Sequence, residues 1–177
     1  AFYRGALAHG VRPIFTFRNA PCWAAVKPCS ENGPNPPAPE FYDEYAAAAA
    51  EIAKRYPEAL AIEIWFEPNG ALFWGKPADP AAFSALVGGA ADAIHAIPGN
   101  TVKVYTGGLA PGQKASHKIY YGEFLHRALD TPGIDRADAI GFHAVTEVPF
   151  KPGADPTKSY LGRLRVQTQA LRSALAD

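Results

Sequence analysis

One glutamate, at a point where a β-strand ends, is the residue of this sequence best placed for acid–base chemistry. Residues 62–69 read IEIWFEPN, an apolar and β-branched run that delivers Glu67 into a turn containing proline. Burial beside apolar walls raises the pKa of a carboxyl group, so that it can donate a proton near neutral pH. The pattern therefore predicts that Glu67 is a general acid, with a solvated glutamate at a strand end as the alternative.

Further polar and aromatic side chains lie where other predicted strands end. Short β-rich runs bounded by Gly, Pro or Asn occupy residues 11–17, 61–66, 101–107 and 138–143. Besides Glu67, the candidates near their carboxyl ends are Arg18, Asn19, Trp23, Asn69, Tyr105 and His143. We expect His143 to belong to the site, with a hydrogen-bonded interior histidine as the alternative.

Helical patterns alternate with these strands. The clearest begins at Asp79-Pro80, a capping residue followed by proline at the first helical position. The others cover residues 40–56, 116–129 and about 160–176. Strands that alternate with helices predict an α/β fold whose parallel strands are joined by right-handed crossovers.

An open doubly wound sheet and a (β/α)8 barrel both fit this alternation. The glycine-containing turns at residues 87–89 and 106–109 match neither a dinucleotide fingerprint nor a phosphate-binding loop, which speaks against the first. Barrel enzymes build their active sites at the carboxyl ends of the strands, where the candidates gather. The sequence therefore favours a single α/β domain of the barrel type, residues 1–177.

Composition argues against two classes of partner. The 177 residues contain 17 Lys and Arg against 17 Asp and Glu, so no net positive field attracts nucleic acid. No apolar run reaches the roughly 18 to 20 residues that a membrane span requires. We expect neither nucleic acid nor a membrane as a partner.

Cys22 and Cys29 lie in a turn-rich loop and permit three states. Their isolation as a local pair favours a disulfide in a secreted, extracellular protein. Two free thiols are the second state. A zinc site is the third, and it lacks the second ligand pair that a tetrahedral structural site needs. Residues 1–4 show no secretory signal, as expected of a mature or trimmed secreted chain.

The same residues resemble motifs of the large clan of retaining (β/α)8 glycoside hydrolases that contains cellulases, β-xylosidases and α-iduronidases. IEIWFEPN resembles the fourth-strand W-N-E-P-N motif, and APCWA at residues 20–24 resembles the A-P-x-W-A loop. AHGVRPI at residues 8–14 resembles the start of strand three, VYTGG at 104–108 fits strand five, and 138–143 fit strand six with its histidine. Phe73-Trp74 recur in the xylosidase and iduronidase branch. These matches follow in order along nearly the whole chain.

The resemblance implies retaining hydrolysis of O-glycosidic bonds in poly- or oligosaccharides, with no cofactor and no metal. Glu67 would be the general acid/base. Trp23 and Trp74 would stack on sugar rings, with core packing as the alternative. Asn69, Tyr105 and His143 would complete the substrate contacts.

The resemblance covers strands three to six only. It implies a partial barrel of four β/α units, whose other half belongs to a longer protein, to another chain or to self-association. The nucleophile would be a glutamate after strand seven. Glu147, in the loop after strand six, is better explained as a surface charge.

Two departures from the clan bear on activity. Phe66 stands where the clan has the asparagine that hydrogen-bonds the sugar 2-hydroxyl, and Val145 lies near a frequent tyrosine. Phenylalanine cannot make that polar contact. A non-catalytic carbohydrate-binding or structural relative of the barrel family is therefore the alternative function.

Overall fold

The computed structural model describes residues 2–30, 33–75, 77–110 and 119–143, together with residues 165, 168, 169, 172 and 173. Strands and helices alternate along the chain, as the sequence predicts. The strands are β1 (Ile14–Phe17), β2 (Ala61–Ile64) and β3 (Lys103–Thr106). The helices are α1 (Phe2–Ala8), α2 (Tyr42–Arg55), α3 (Pro80–His95) and α4 (Tyr121–Leu129), with 3₁₀ turns at Pro39–Phe41 and Ile134–Arg136.

The three strands form a parallel sheet in the order β1-β2-β3. The register places Thr16 beside Glu63 and Glu63 beside Tyr105. This arrangement is α/β, and its parallel strands agree with the predicted crossovers. The three described strands form an open sheet rather than a closed barrel.

The predicted fourth strand, residues 138–143, is present only as two isolated parallel bridges. Ala139 pairs with Tyr105, and Phe142 pairs with Leu109. Between these bridges the Gly107 N–H continues the β2–β3 ladder to the Ile64 carbonyl, but the Gly108 N–H donates to the Glu63 carboxylate. The Gly141 N–H likewise donates to the Thr106 hydroxyl rather than to a backbone carbonyl, so the backbone ladder to the fourth segment is interrupted. We call residues 138–143 the fourth segment.

The helices pack on one face of the sheet. Ile62, Ile64 and Val104 point into this face and are fully buried. Helices α2 and α3 supply most of the helical side of the core, including Phe83, Leu86 and Ile94. The opposite face carries Ile14, Thr16, Glu63, Lys103 and Tyr105, which are partly or largely exposed in the described part of the chain.

The helix boundaries follow the sequence signals with small shifts. Helix α3 begins at Pro80, and the Asp79 carboxylate accepts a hydrogen bond from the N–H of Ala82, as the capping pattern predicts. Helix α2 begins two residues later than expected because Pro39–Phe41 form a 3₁₀ turn first. Residues 116–118 and most of 160–176 lie outside the described residues. No described helix combines the length and apolar character that a membrane crossing demands.

Asp138 fastens the fourth segment to the sheet and to α3. Its carboxylate accepts hydrogen bonds from the Val104 N–H at 2.8 Å and from Lys103 Nζ at 2.9 Å, and His95 Nε2 lies 3.0 Å away. Desolvation by burial would raise the pKa of Asp138, but these three partners together lower it to about 2. The anchor lies at the end of β3 opposite to Glu67, so it orders the fold rather than the site.

Cys22 and Cys29 are joined by a disulfide, which confirms the favoured pairing. The bridge closes the loop that follows β1. In that loop, Ala24 and Ala38 are linked by a backbone hydrogen bond of 2.8 Å. Among the described residues, no group of His, Cys, Asp and Glu is arranged to hold a metal ion.

Candidate active site

Glu67 lies in a strained turn directly after β2. Trp65 and Glu67 adopt positive φ angles of 76° and 45°, which non-glycine residues rarely do. Each such residue costs on the order of 1–3 kcal/mol and persists only where the surrounding structure enforces it. The enforced turn places the Glu67 carboxylate at the carboxyl edge of the sheet, where its side chain is 13% exposed.

The turn is held by the strands on both sides of it. The Trp65 N–H donates to the Phe17 carbonyl at the end of β1, at 2.8 Å. The Glu67 N–H donates to the Gly108 carbonyl just beyond β3, at 3.0 Å. Two neighbouring strands therefore fix the backbone on either side of residue 66, and the direction of the Glu67 side chain with it.

His143 meets Glu67 at the end of the fourth segment. Its Nδ1 lies 2.9 Å from Glu67 Oε1, and its side chain is 25% exposed. When Glu67 is ionised, the His143 Nδ1–H donates to its carboxylate. When Glu67 is protonated, its O–H donates to an unprotonated Nδ1. The structure thus brings together two residues that the sequence places 76 positions apart.

Gly108 makes room for the histidine ring. A Cβ atom at this position would lie 2.5 Å from His143 Nε2 and 2.7 Å from its Cδ2. The His143 N–H also donates to the Leu109 carbonyl at 2.9 Å. The glycine therefore allows the fourth segment to approach β3 closely enough for the ring to reach Glu67.

An aromatic wall flanks this pair. Phe66 contacts Phe73 edge-on and the His143 ring at a tilt, each with 4.7 Å between ring centroids. The Arg18 guanidinium lies over both phenylalanines, 5.8 Å from the ring centre of Phe66 and 5.5 Å from that of Phe73. No described residue forms a salt bridge with Arg18. We call Arg18, Phe66 and Phe73 the aromatic wall.

Asn69 lies close by but inside the protein. The side chain is fully buried; its Nδ2 donates to the carbonyls of Ala110 and Ile119 at 3.0 Å, and its Oδ1 accepts from the Ala110 N–H at 2.8 Å. All three bonds go to backbone groups of the segments that follow β3. Asn69 therefore ties these segments together, and its buried amide does not reach the surface where a substrate would bind.

The two predicted stacking tryptophans lie in different surroundings. Trp74 is 4% exposed and packs edge-on against Trp65 and Phe83, which is the core-packing alternative. Trp23 is 69% exposed and meets Phe41 edge-on at 5.4 Å. It lines a mostly apolar cavity of about 170 Å³ beside the end of β1, so it remains available for a ligand.

Tyr105 belongs to the second face of the sheet rather than to its edge. It is half-buried on β3, in register with Glu63. Glu63 in turn lies four residues before Glu67 on β2. The structure therefore groups Glu67, His143 and the aromatic wall at the carboxyl edge of the sheet. Tyr105 lies further back along β3, beside Glu63, and Trp23 lies at the cavity beside the end of β1. Glu147 and Val145 lie outside the described residues.

Sequence reasoning missed the roles of Glu63 and Gly108. A signal for both exists in the printed sequence. Glu63 is a carboxylate at an otherwise apolar strand, and the Gly107-Gly108 pair follows β3 at the level of Glu67. Glycines at strand ends mark close backbone approach as well as phosphate binding, and close approach is the meaning that applies here.

Solved structures share the fold of this chain. In fold, this chain resembles about one third of a β-xylosidase. The monomeric β-xylosidase from Caulobacter crescentus CB15 matches with a TM-score of 0.57 and 21% sequence identity, over 97% of this chain and 36% of that one. The GH39 enzyme from Xanthomonas axonopodis pv. citri matches with a TM-score of 0.57 and 22% identity, over 97% of this chain and 35% of that one.

These neighbours support a partial glycosidase-like fold. They are glycoside hydrolases with a TIM-barrel fold, and the chain spans just over a third of their length. No family model matches the sequence, and no curated protein matches it either. At such low identity the likeness shows the fold alone, and the chemistry must be argued from the residues.

Proposed function

We propose that this chain forms the acid/base half of the active site of a retaining glycoside hydrolase, with Glu67 as the general acid/base. The observation that carries this proposal is the Glu67–His143 pair at the carboxyl edge of a parallel sheet, beside an aromatic wall. Active sites of (β/α)8 enzymes lie at this edge. The substrate class is a poly- or oligosaccharide, because the similar structures are glycoside hydrolases.

Glu67 serves both steps of a retaining mechanism. As a carboxylic acid it donates its proton to the glycosidic oxygen as the leaving group departs. As a carboxylate it then takes a proton from the water that hydrolyses the glycosyl-enzyme intermediate. His143 engages Oε1, and in this proposal Oε2 is the oxygen that faces substrate.

The second carboxylate must come from elsewhere. Retaining enzymes place a nucleophile about 5–5.5 Å from the acid/base. The described residues supply no such glutamate across the cleft from Glu67. We propose that the rest of a barrel, in the same polypeptide or in a partner, provides it, since the similar structures are almost three times as long. No cofactor takes part in this chemistry.

Trp23 contributes a stacking surface in this proposal. An exposed indole offers an apolar plane on which the CH face of a pyranose packs. The hydroxyl of Tyr45, beside the same cavity, donates to the Phe17 carbonyl at 2.7 Å, and burial raises the pKa of Tyr45 well above its usual value. The cavity therefore presents apolar surface rather than a polar donor, as a sugar-stacking subsite would.

We also propose an extracellular location. A disulfide is stable in oxidising compartments and rare in the cytosol of mesophiles. The Cys22–Cys29 bridge supports this placement.

The experiment compares Glu67→Gln with Glu58→Gln, a control at an exposed glutamate. Both variants are made in the form of the protein that also contains the rest of the barrel, and hydrolysis is measured on xylobiose, whose leaving group needs protonation, and on 4-nitrophenyl β-xyloside, whose leaving group does not. General acid catalysis contributes about 10²–10⁴-fold, so kcat/KM on xylobiose should fall by that factor in Glu67→Gln and much less on the aryl glycoside. Added azide should accelerate Glu67→Ala by replacing the base-assisted water. Unchanged hydrolysis of xylobiose by Glu67→Gln would refute the assignment.

One observation favours a second function, a carbohydrate-binding protein without turnover. Phe66 packs between Phe73 and His143, where the clan has a polar contact to the sugar 2-hydroxyl. That contact strengthens in the transition state, so its loss weakens catalysis more than binding. Sugar binding without hydrolysis, in both the unmodified protein and Glu67→Gln and with the rest of the barrel present, would support this function.

A further inference from the structure

We propose that Glu63 is a positioning residue for the acid/base pair, acting through the peptide group of Gly108. This inference rests on the proposed function of Glu67. Glu63 lies on β2, four residues before Glu67, on the sheet face that the described helices leave uncovered. It does not touch the reacting atoms; it fixes the groups that do.

Both oxygens of Glu63 are engaged, and by different strands. Thr16 Oγ1 on β1 donates to Oε2 at 2.5 Å, and the Gly108 N–H beyond β3 donates to Oε1 at 3.0 Å. Hydrogen bonds to an ionised acceptor are shorter and stronger than neutral ones. One carboxylate therefore joins all three strands immediately below the catalytic edge.

Gly108 contacts both Glu67 and His143, so Glu63 restrains both residues through it. Its carbonyl accepts the Glu67 N–H at 3.0 Å, which holds the strained turn. Its Cα lies against the His143 ring, so closely that no Cβ would fit. A shift of Gly108 therefore moves the Glu67 backbone and the His143 ring together, and changes the 2.9 Å contact between Nδ1 and Oε1.

The alternative is that Glu63 only stabilises the sheet. A stabilising carboxylate would affect the folded fraction and leave the chemistry of the remaining folded molecules unchanged. A positioning carboxylate would instead affect proton transfer, so its loss would matter more for poor leaving groups than for good ones. The two roles are distinguishable by the choice of substrate.

The test uses three variants, each made in the form of the protein that also contains the rest of the barrel. Glu63→Ala removes both contacts. Glu63→Gln keeps an acceptor for Gly108 and a group that can bond Thr16, so it is the conservative rescue. Thr16→Val removes one contact at an exposed position. The control is Glu58→Ala.

We expect Glu63→Ala to lower kcat on xylobiose by about 100-fold and on 4-nitrophenyl β-xyloside by about 5-fold, with KM nearly unchanged. Glu63→Gln should retain most of the activity, and Thr16→Val should change the ratio of the two substrates in the same direction by a smaller factor. Equal losses on both substrates would overturn the proposal. If Glu63→Ala fails to fold, Thr16→Val decides.

A second readout does not depend on turnover. The ring ¹⁵N signals of His143 report its hydrogen bond to Glu67. In Glu63→Ala they should move towards their positions in Glu67→Gln, whereas in Glu58→Ala they should stay in place. Unmoved His143 signals in Glu63→Ala would overturn the positioning role. Failure of the proposed function would show differently, as hydrolysis that survives Glu67→Gln.

Discussion

Gly108→Ala is the substitution whose consequence can be worked out most directly from the geometry. The new Cβ would lie 2.5 Å from His143 Nε2, 2.7 Å from Cδ2 and 3.1 Å from Cε1. Favourable contacts between such atoms begin at about 3.5 Å. The imidazole must therefore move by about 1 Å, or the backbone of the fourth segment must move with it.

That displacement breaks the contact with Glu67. The Nδ1–Oε1 distance is 2.9 Å, and hydrogen bonds of this type extend only to about 3.2 Å. A hydrogen bond to a charged group contributes about 1.5–3 kcal/mol. If the pair acts in the transition state, kcat/KM on xylobiose should fall by about 10- to 150-fold.

The matched control is Gly89→Ala, in the middle of α3. There the nearest atom to a new Cβ is the Ala46 Cβ at 3.8 Å, an ordinary contact. This variant should be more stable by about 0.5–1 kcal/mol because glycine disfavours a helix, and its activity should not change. Urea unfolding and hydrolysis rates are measured on both variants.

The two results together separate a site effect from a folding effect. A loss of activity in folded Gly108→Ala, with the His143 ring signals displaced, is the expected outcome. Wild-type hydrolysis of xylobiose, or undisplaced ring signals, would show that the ring does not depend on this glycine. The description of how the Glu67–His143 pair is assembled would then have to be abandoned.

Three further predictions concern stability and are checked by urea unfolding. Asp138→Asn should lower the free energy of unfolding by about 1 kcal/mol at pH 7, after allowance for solvent screening. Because the pKa of Asp138 is lowered to about 2 in the fold, the difference from wild type should shrink as the pH falls from about 4 to 2. A pH-independent difference would contradict this. Asn69→Ala should lower the free energy of unfolding by about 3 kcal/mol, because it leaves buried backbone groups of Ala110 and Ile119 without hydrogen-bond partners. A decrease below about 1 kcal/mol would refute the structural role of Asn69. Replacing Cys22 and Cys29 with serine should cost about 2 kcal/mol, the value for closing a short loop, whereas reduction of the wild type without loss of stability would oppose it.

Much of the fold follows from local patterns in the sequence. The period of the hydrophobic residues predicts the alternation of strands and helices, and the capping pattern predicts that α3 starts at Asp79-Pro80. The structure agrees with both predictions. The prediction that residues 138–143 form a regular strand was wrong, because their pairing depends on hydrogen bonds made by residues distant in the sequence. The Gly108 N–H bonds to the Glu63 carboxylate and the Gly141 N–H to the Thr106 hydroxyl, and no property of residues 138–143 reveals either contact.

The candidate site was predictable in position but not in detail. Strand ends gather at one edge of a parallel sheet, so Glu67 and His143 could be expected to lie near each other. Whether a side chain at that edge faces the cleft or the interior depends on the turn itself. Asn69 and Trp74 follow Glu67 closely in sequence, yet both are buried, because the chain folds back towards the core immediately after the strained turn.

The strained turn at Trp65 and Glu67 is held by the strands and strand ends around it. Two residues with positive φ would relax if only their own strand held them. β1 holds the backbone before Phe66, the Gly108 carbonyl holds it after, and Glu63 ties Gly108 back to Thr16 on β1. These hydrogen bonds link β1, β2 and the segment after β3 to one another, so the Glu67 carboxylate is oriented before any second carboxylate or substrate arrives. Under the proposed function, a partner that completes the cleft would therefore have to supply a nucleophile and would not have to orient Glu67.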